Sequence, residues 1–253
     1  MAGIEYLEMK THRAEEQLDE LDRRIGEFVK DAYTITRKDY SQKERHVVRL
    51  ELKPMPYQIA MLVGEFAYSL RSGLDQLAWQ LALLNTKPKR PRSATSFPIR
   101  SVAPLPPKGF GDCMKDILPA AATVIASLQP YHRGKDFTGH PLYLLNELCI
   151  IDKHQTLAVH SNAASIRISG ADYSRRRELD YGFEVFFDLR DKFKIQLDPI
   201  QTELILGEPI NSPGSGGFEV RIATLRTIYD FVRNEVSPRF AGFFKASSGL
   251  FER

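Results

Sequence analysis

The chain has 253 residues, of which 43% are hydrophobic and 26% charged, a composition typical of a globular protein with a substantial core. Its formal net charge of +3 is too small to indicate nucleic-acid binding by itself. The sequence begins without a secretory signal pattern and has no unbroken apolar run of the roughly 18 residues that a membrane span requires. We therefore expect a cytoplasmic protein with no membrane partner.

Residues 4 to 28 repeat seam positions at alternating spacings of three and four, which predicts a long helix with one narrow apolar seam. Such a seam suits packing along a helix of the same chain, which we favour, or along a second copy in a homodimer. The seam residues are Ile4, Leu7, Thr11, Ala14, Leu18, Leu21, Ile25 and Phe28.

Two β-prone runs flank a polar stretch and predict a hairpin over residues 33–53. Pro54 and Pro56 end it, and a broad apolar stripe then predicts a helix over residues 57–85. Arg71 and Asp75 lie four residues apart on the flank of this helix. They form either an ordinary intrahelical ion pair or a polar pair that faces another helix.

A proline-rich and basic connection, residues 86–112, leads to a helix predicted over residues 112–128 and then to a central helix over residues 140–157. The central helix is apolar on nearly every side, which is typical of a buried helix. It also carries polar side chains that need partners: Asn146, Glu147, Asp152, Lys153 and His154. If this helix covers the flank of the 57–85 helix, Arg71 faces Glu147, Asp152 or His154.

Beyond residue 160 the apolar period changes to two, which predicts four or five antiparallel strands, with a flexible loop at residues 211–217. A closing helix is predicted over residues 222–236, and the tail after Pro238 shows no period. Basic runs at residues 87–92 and 175–177 are interpreted as solvated loops.

Several enzyme classes lack their patterns in this chain. There is no glycine-rich loop between a strand and a helix, no His-Glu-x-x-His run and no Gly-x-Ser-x-Gly elbow. Cys113 and Cys149 are 36 positions apart without a second ligand pair, so we expect two buried, reduced thiols. The sequence predicts neither a metal nor a cofactor.

Two constellations could carry chemistry. The first is Arg133 and His140, which precede the central helix: an arginine can hold a phosphate while a histidine acts as acid or base, as metal-free RNA cleavage requires. The second is the set on the two predicted helices, interpreted as a ligand site or as a network that fixes helix register. Its members are Arg71, Asp75, Asn146, Glu147, Asp152, Lys153 and His154.

Four stretches between residues 57 and 160 resemble a family of uncharacterised bacterial proteins. They begin at Leu70 (LRSGLDQLA), Phe97 (FPI), Leu128 (LQPY) and Leu145 (LNELCIIDKH). More remotely, the arrangement is similar to HEPN helical bundles, many of which are RNases of toxin or defence systems with an Arg-x(4–6)-His motif. That resemblance implies a catalytic role for Arg133 and His140, although Gly134 stands where the superfamily has a polar residue.

Together these patterns predict an α+β fold: a HEPN-like helical bundle with an N-terminal β-hairpin and an antiparallel β-sheet in the C-terminal half. The expected parts are residues 1–160, including the hairpin, and residues 161–253, packed as one compact unit. Two functions stay open. One is a HEPN-like module that binds or cleaves RNA through Arg133 and His140, supported by Arg71 and Asp75. The other is a nonenzymatic protein with a structural polar network, whose first helix or sheet binds a protein partner.

Overall fold

A computed structural model describes residues 3–40, 45–86, 90–104, 109–154, 159–161, 166–169, 175–179, 182–188, 194–197, 204–206 and 222–248. Its helices are α1 (Glu5–Lys30), α2 (Tyr57–Thr86), α3 (Pro119–Ser127), α4 (Pro141–His154), α5 (Ile222–Asp230) and α6 (Ser237–Ser248). Its strands are β1 (Tyr33–Tyr40), β2 (Arg45–Leu52), β3 (Val159–Ser161), β4 (Ile166–Ser169), β5 (Arg175–Leu179), β6 (Gly182–Asp188), β7 (Lys194–Leu197) and β8 (Leu204–Leu206). The predicted α+β class is confirmed. Within these ranges no helix is both long and apolar enough to cross a membrane.

The chain divides into two units, each assembled from separated segments. The helical unit contains residues 1–20, 61–157 and 222–253, and the sheet unit contains residues 21–60 and 158–221. The two units alternate along the chain, so neither corresponds to one continuous stretch of sequence. The reason is pairing across the chain: β2 pairs with β6, which groups the hairpin with the later strands, while α5 contacts α4 and α6 contacts α3.

In the sheet unit, four antiparallel strands lie in the order β1-β2-β6-β5, and two further pairs form between β3 and β8 and between β4 and β7. The predicted hairpin is confirmed, since β1 and β2 pair from Tyr33–Leu52 to Tyr40–Arg45. One face of the four-stranded sheet is apolar, because alternate residues of each strand point to the same side. Its buried cluster consists of Val48, Leu50, Phe183, Val185 and Phe187.

The seam of α1 is buried within the chain. Leu7, Ala14, Leu18 and Leu21 are each at most 2% exposed, and Thr11 and Ile25 are also buried. In the helical unit the packing is close: a Cβ added at Gly73 of α2 would lie 3.1 Å from Leu7 Cδ1. The expected packing within the chain is thus observed, and the seam cannot also accept a second copy in a homodimer without opening this packing.

The C-terminal helices extend further than predicted. After α5, a π-helical turn (Phe231–Val236) leads directly into α6, although the sequence beyond Pro238 shows no apolar period. Phe240 and Phe244 are buried one helical turn apart and give α6 an apolar face. The predicted flexible loop at residues 211–217 lies outside the described residues.

Candidate functional site

Arg71 and Asp75 form a polar clamp on α2, and the group they hold is a loop backbone. Arg71 Nη2 donates to Asp75 Oδ1 at 3.0 Å and to the Phe97 carbonyl oxygen at 2.9 Å. The Phe97 N–H donates to the same Asp75 oxygen at 3.0 Å. Both backbone groups of Phe97 are therefore satisfied by one pair of side chains. Arg71 does not direct these bonds to Glu147, Asp152 or His154, which the sequence suggests as its partners.

Gln129 holds the next residues of the same loop. Its side chain, 1% exposed, donates from Nε2 to the Pro98 carbonyl oxygen at 2.9 Å, and its Oε1 accepts from the Arg100 N–H at 2.9 Å. The Tyr131 N–H then donates to the Arg100 carbonyl oxygen at 3.2 Å. The segment 97–100 is thus fixed to α2 on one side and to the end of α3 on the other.

This clamp brings together three of the four stretches that the sequence analysis singles out. The LRSGLDQLA stretch supplies Arg71 and Asp75, the FPI stretch supplies Phe97, and the LQPY stretch supplies Gln129 and Tyr131. Neither Gln129 nor Phe97 stood out as a functional residue in the sequence. The only signal was that they occur in the stretches on which the resemblance rests.

The fourth stretch brings α4 against α2. A Cβ added at Gly64 of α2 would lie 2.7 Å from the carboxyl carbon of Asp152, so this glycine leaves the space that the Asp152 side chain occupies. Asp152 and Lys153 are otherwise exposed, and Asn146 and Glu147 are half-buried. The side chain of His154 lies outside the described residues. The two helices therefore meet, but the polar residues between them are only partly buried.

Burial sets the protonation of the groups in this cluster. It raises the pKa of Asp75, although the Arg71 guanidinium, the Phe97 N–H and Lys153 each favour the carboxylate. Burial also raises the pKa of the Cys149 thiol to about 11, against the nearby charges of Arg71 and Lys153. A thiol with that pKa is protonated at neutral pH and is a poor nucleophile or metal ligand. Among the described residues, no three His, Cys, Asp or Glu side chains are placed to share a metal ion.

Arg133 and His140 occur together, but His140 has a structural task. His140 is the N-cap residue of α4: its carbonyl oxygen accepts from the Leu144 N–H at 3.0 Å, and its Nδ1 accepts from the Leu142 N–H at 3.1 Å. The imidazole is 6% exposed and packs edge-on against Phe231, with ring centroids 5.1 Å apart. Arg133 is exposed, and its Nη1 donates to the Gly139 carbonyl oxygen at 2.8 Å.

The electrostatics of His140 follow from that position. Burial, together with the charges of Arg133 and His132, lowers its pKa from 6.5 to about 4. The ring is therefore neutral at pH 7, with its proton on Nε2 because Nδ1 is the acceptor. A base with this pKa, buried and already bonded at one nitrogen, is far from the neutral-pH optimum for general acid–base catalysis.

A charged surface that the sequence did not single out lies on the sheet unit. We call it the charged face: the side of the four-stranded sheet opposite the apolar cluster. Its middle row crosses all four strands as Lys38, Val47, Phe186 and Arg175, and the next row is Thr36, Arg49, Glu184 and Arg177. Arg45 and Asp188 form a further pair, and Glu51 lies beside Gly182.

The cations of the charged face are unevenly compensated. Glu184 lies 3.8 Å from Arg49 and 3.9 Å from Arg177, so one carboxylate is shared by two guanidinium groups. Across the face, five Lys and Arg side chains oppose three carboxylates. Arg175 is exposed and has its guanidinium 5.9 Å from the centre of the Phe186 ring. Lys38 and Arg175 thus place positive charge at both ends of a row whose centre is apolar.

No protein-family model, curated protein or solved structure matches this chain. The fold is that of a mixed α+β protein with a four-stranded antiparallel sheet and a helical unit.

Proposed function

We propose that this protein binds RNA without cutting it. The observation that carries the proposal is the charged face, where Lys38, Arg45, Arg49, Arg175 and Arg177 surround the half-buried Phe186. Cations that contact phosphates, next to aromatic and guanidinium planes that contact bases, are the usual means by which proteins bind RNA strands. The remote similarity to RNA-processing HEPN bundles agrees with this class of partner.

The position of His140 argues for binding rather than cleavage. Its Nδ1 is committed to the backbone of α4, and its low pKa keeps the ring neutral. Arg133 remains an exposed cation next to His132 and Lys135, which are exposed as well, and can contribute a phosphate contact. Arg71 and Asp75 support the loop 97–100 and have no part in binding under this proposal.

The test is fluorescence anisotropy of the full chain with a labelled 15-nucleotide RNA over a series of salt concentrations. The double variant Arg175→Gln/Arg177→Gln should weaken binding about tenfold, and each lost phosphate contact should reduce the salt slope by about 0.7. The matched control is Arg13→Gln/Arg23→Gln, which removes two exposed, ion-paired cations from α1 and should leave binding unchanged. Equal weakening by both double variants would show that binding depends only on net charge, and it would refute the proposed surface.

Cleavage is tested on the same RNA by gel electrophoresis after long incubation. We expect intact RNA with the parent protein, with Arg133→Ala and with His140→Asn. Cleavage by the parent protein that disappears in both variants would restore the nuclease hypothesis. Cleavage that persists in both would indicate a contaminating RNase.

A second candidate function is self-association through the exposed side of α1. Tyr6 and Met9 are 53% and 67% exposed and lie three residues apart on that helix, away from its buried seam. A homodimer formed there would leave the seam intact. Sedimentation equilibrium would show a concentration-dependent dimer that Tyr6→Ser/Met9→Ser abolishes; a monomer at all concentrations would remove this candidate.

A further inference from the structure

We infer that the partner of the charged face is single-stranded RNA, with a base stacked on the Arg175 guanidinium. This inference rests on the proposed function and adds to it which form of RNA is recognised. It starts from the middle row, in which Lys38 and Arg175 stand at the two ends and Val47 and Phe186 between them. Because adjacent strands lie about 4.8 Å apart, the row is about 14 Å wide.

The stacking platform is built from two side chains. Arg175 extends over Phe186 with its guanidinium carbon 5.9 Å from the ring centre, and neighbouring backbone pairing between β5 and β6 fixes both residues in register. A guanidinium that lies over an aromatic ring has its orientation restricted, and its other side is a flat, cationic surface. Unstacked RNA bases stack on such planes, and all four bases can do so.

The surroundings suit a strand better than a duplex. Base pairs in an A-form duplex are stacked on each other, and its recognition relies on shape and on contacts across the wide minor groove. The middle row instead offers the half-buried Phe186 between two cations, with the buried Val47 beside it. A single strand can stack a base on the Arg175 guanidinium and place its flanking phosphates near Lys38 and Arg177, the cation two residues from Arg175 on β5.

The experiment compares a 15-nucleotide RNA with the 15-base-pair duplex of the same sequence, using the full chain. Arg175→Lys keeps the charge and removes the planar group, and it should weaken binding of the single strand about tenfold while leaving binding of the duplex unchanged. Arg23→Lys is the matched control, because Arg23 is an exposed arginine of α1, paired with Glu27 and outside the charged face. It should change neither affinity.

The outcomes separate the two proposals. Binding of single strand and duplex with equal affinity, unaffected by Arg175→Lys, would overturn the single-strand inference and leave RNA binding in place. Equal weakening by Arg175→Lys and Arg23→Lys would also overturn it, because the plane over Phe186 would then have no special role. Binding to neither RNA, by a protein with the circular dichroism of a folded α+β chain, would overturn the proposed function itself.

Discussion

The helical unit and the sheet unit use charged side chains in opposite ways. In the helical unit, Arg71 and Asp75 are engaged by backbone groups of a loop, and His140 is engaged by the backbone of α4. In the sheet unit, Arg175 and Arg177 extend from an edge strand and are exposed. The difference teaches that a charged residue on a mostly buried helix provides hydrogen bonds to backbone groups that burial would otherwise leave without a partner. On the sheet, Arg175 and Arg177 instead lie beside other side chains, Phe186 and Glu184.

The largest effect should come from breaking the clamp. Asp75→Ala removes the acceptor of the Phe97 N–H and leaves Arg71, 20% exposed, without its carboxylate, so we expect a loss of about 2–3 kcal/mol of unfolding free energy in urea. Glu27→Ala is the control. It removes an ion pair of the same spacing, with Arg23, that is more than half exposed on both sides and should cost at most about 0.5 kcal/mol. Similar losses in the two variants would contradict a special role for the clamp.

The next effect concerns the cap of α4. His140→Ala should cost about 1–2 kcal/mol, because the Leu142 N–H loses its acceptor and the ring leaves a space beside Phe231. His140→Asn should recover part of that loss, since an asparagine oxygen can accept the same bond. Thermal unfolding of the three proteins measures the difference. If Asn and Ala were equally destabilising, the capping bond would contribute nothing.

The same residue gives a pH dependence of known sign. The unfolded chain binds a proton at His140 near pH 6.5, while the folded chain does so only near pH 4, so protonation favours the unfolded state between these values. The parent protein should lose about 1–2 kcal/mol from this residue between pH 7 and pH 5, a loss that His140→Asn should not show. Urea titrations at both pH values provide the comparison, and parallel behaviour of the two proteins would argue against a buried, neutral imidazole.

A smaller effect tests the contact between α2 and α4. Gly64→Ala gains about 1 kcal/mol in helix propensity but forces the Asp152 side chain to move. Asp152→Ala removes that obstacle, so the double variant should be more stable than the sum of the single changes predicts, by roughly 0.5–1 kcal/mol. Strict additivity in a double-mutant cycle would mean that the Asp152 side chain can move away from a Cβ at position 64 without a loss of unfolding free energy.

The smallest effect on stability is expected where the binding effect is largest. Arg175→Gln/Arg177→Gln should change the unfolding free energy by less than about 0.5 kcal/mol, because both side chains are exposed and the 3.9 Å pair with Glu184 is a surface contact. A loss greater than 1.4 kcal/mol, tenfold in the equilibrium constant, would show that these arginines hold the sheet together. It would also make any loss of RNA binding uninformative.

Much of the secondary structure could be predicted from local pattern. The heptad of α1, the hairpin and strands such as β4, β6 and β7 follow from apolar periods of about 3.6 and 2. β5 could not be found in this way, because Arg175, Arg176 and Arg177 have no apolar alternation. That strand exists because it pairs with β6 from Arg175–Phe186 to Leu179–Gly182. The predicted solvated loop is therefore an edge strand.

The pair Arg71 and Asp75 was predictable from the sequence, but its contacts with the loop were not. Arg71 and Asp75 at spacing four on a helix indicate an ion pair, and that pair is present at 3.0 Å. Their bonds to Phe97, 22 and 26 residues away, depend on where a loop without periodicity closes, which no local pattern encodes. His140 showed the same limit, since a histidine before a helix reads equally as a catalytic base or as a cap until its nitrogen partners are known.

The ion pair between Glu15 and Arg233 joins positions 218 residues apart, at 2.7 Å, and lies within the helical unit. During synthesis, α1 emerges from the ribosome long before α5 and α6 exist. Part of the α1 surface therefore has no packing partner until those helices have been made. Contacts this remote in sequence favour slow folding with a late final step. We therefore expect α1 to reach its final packing only after α5 and α6 have left the ribosome.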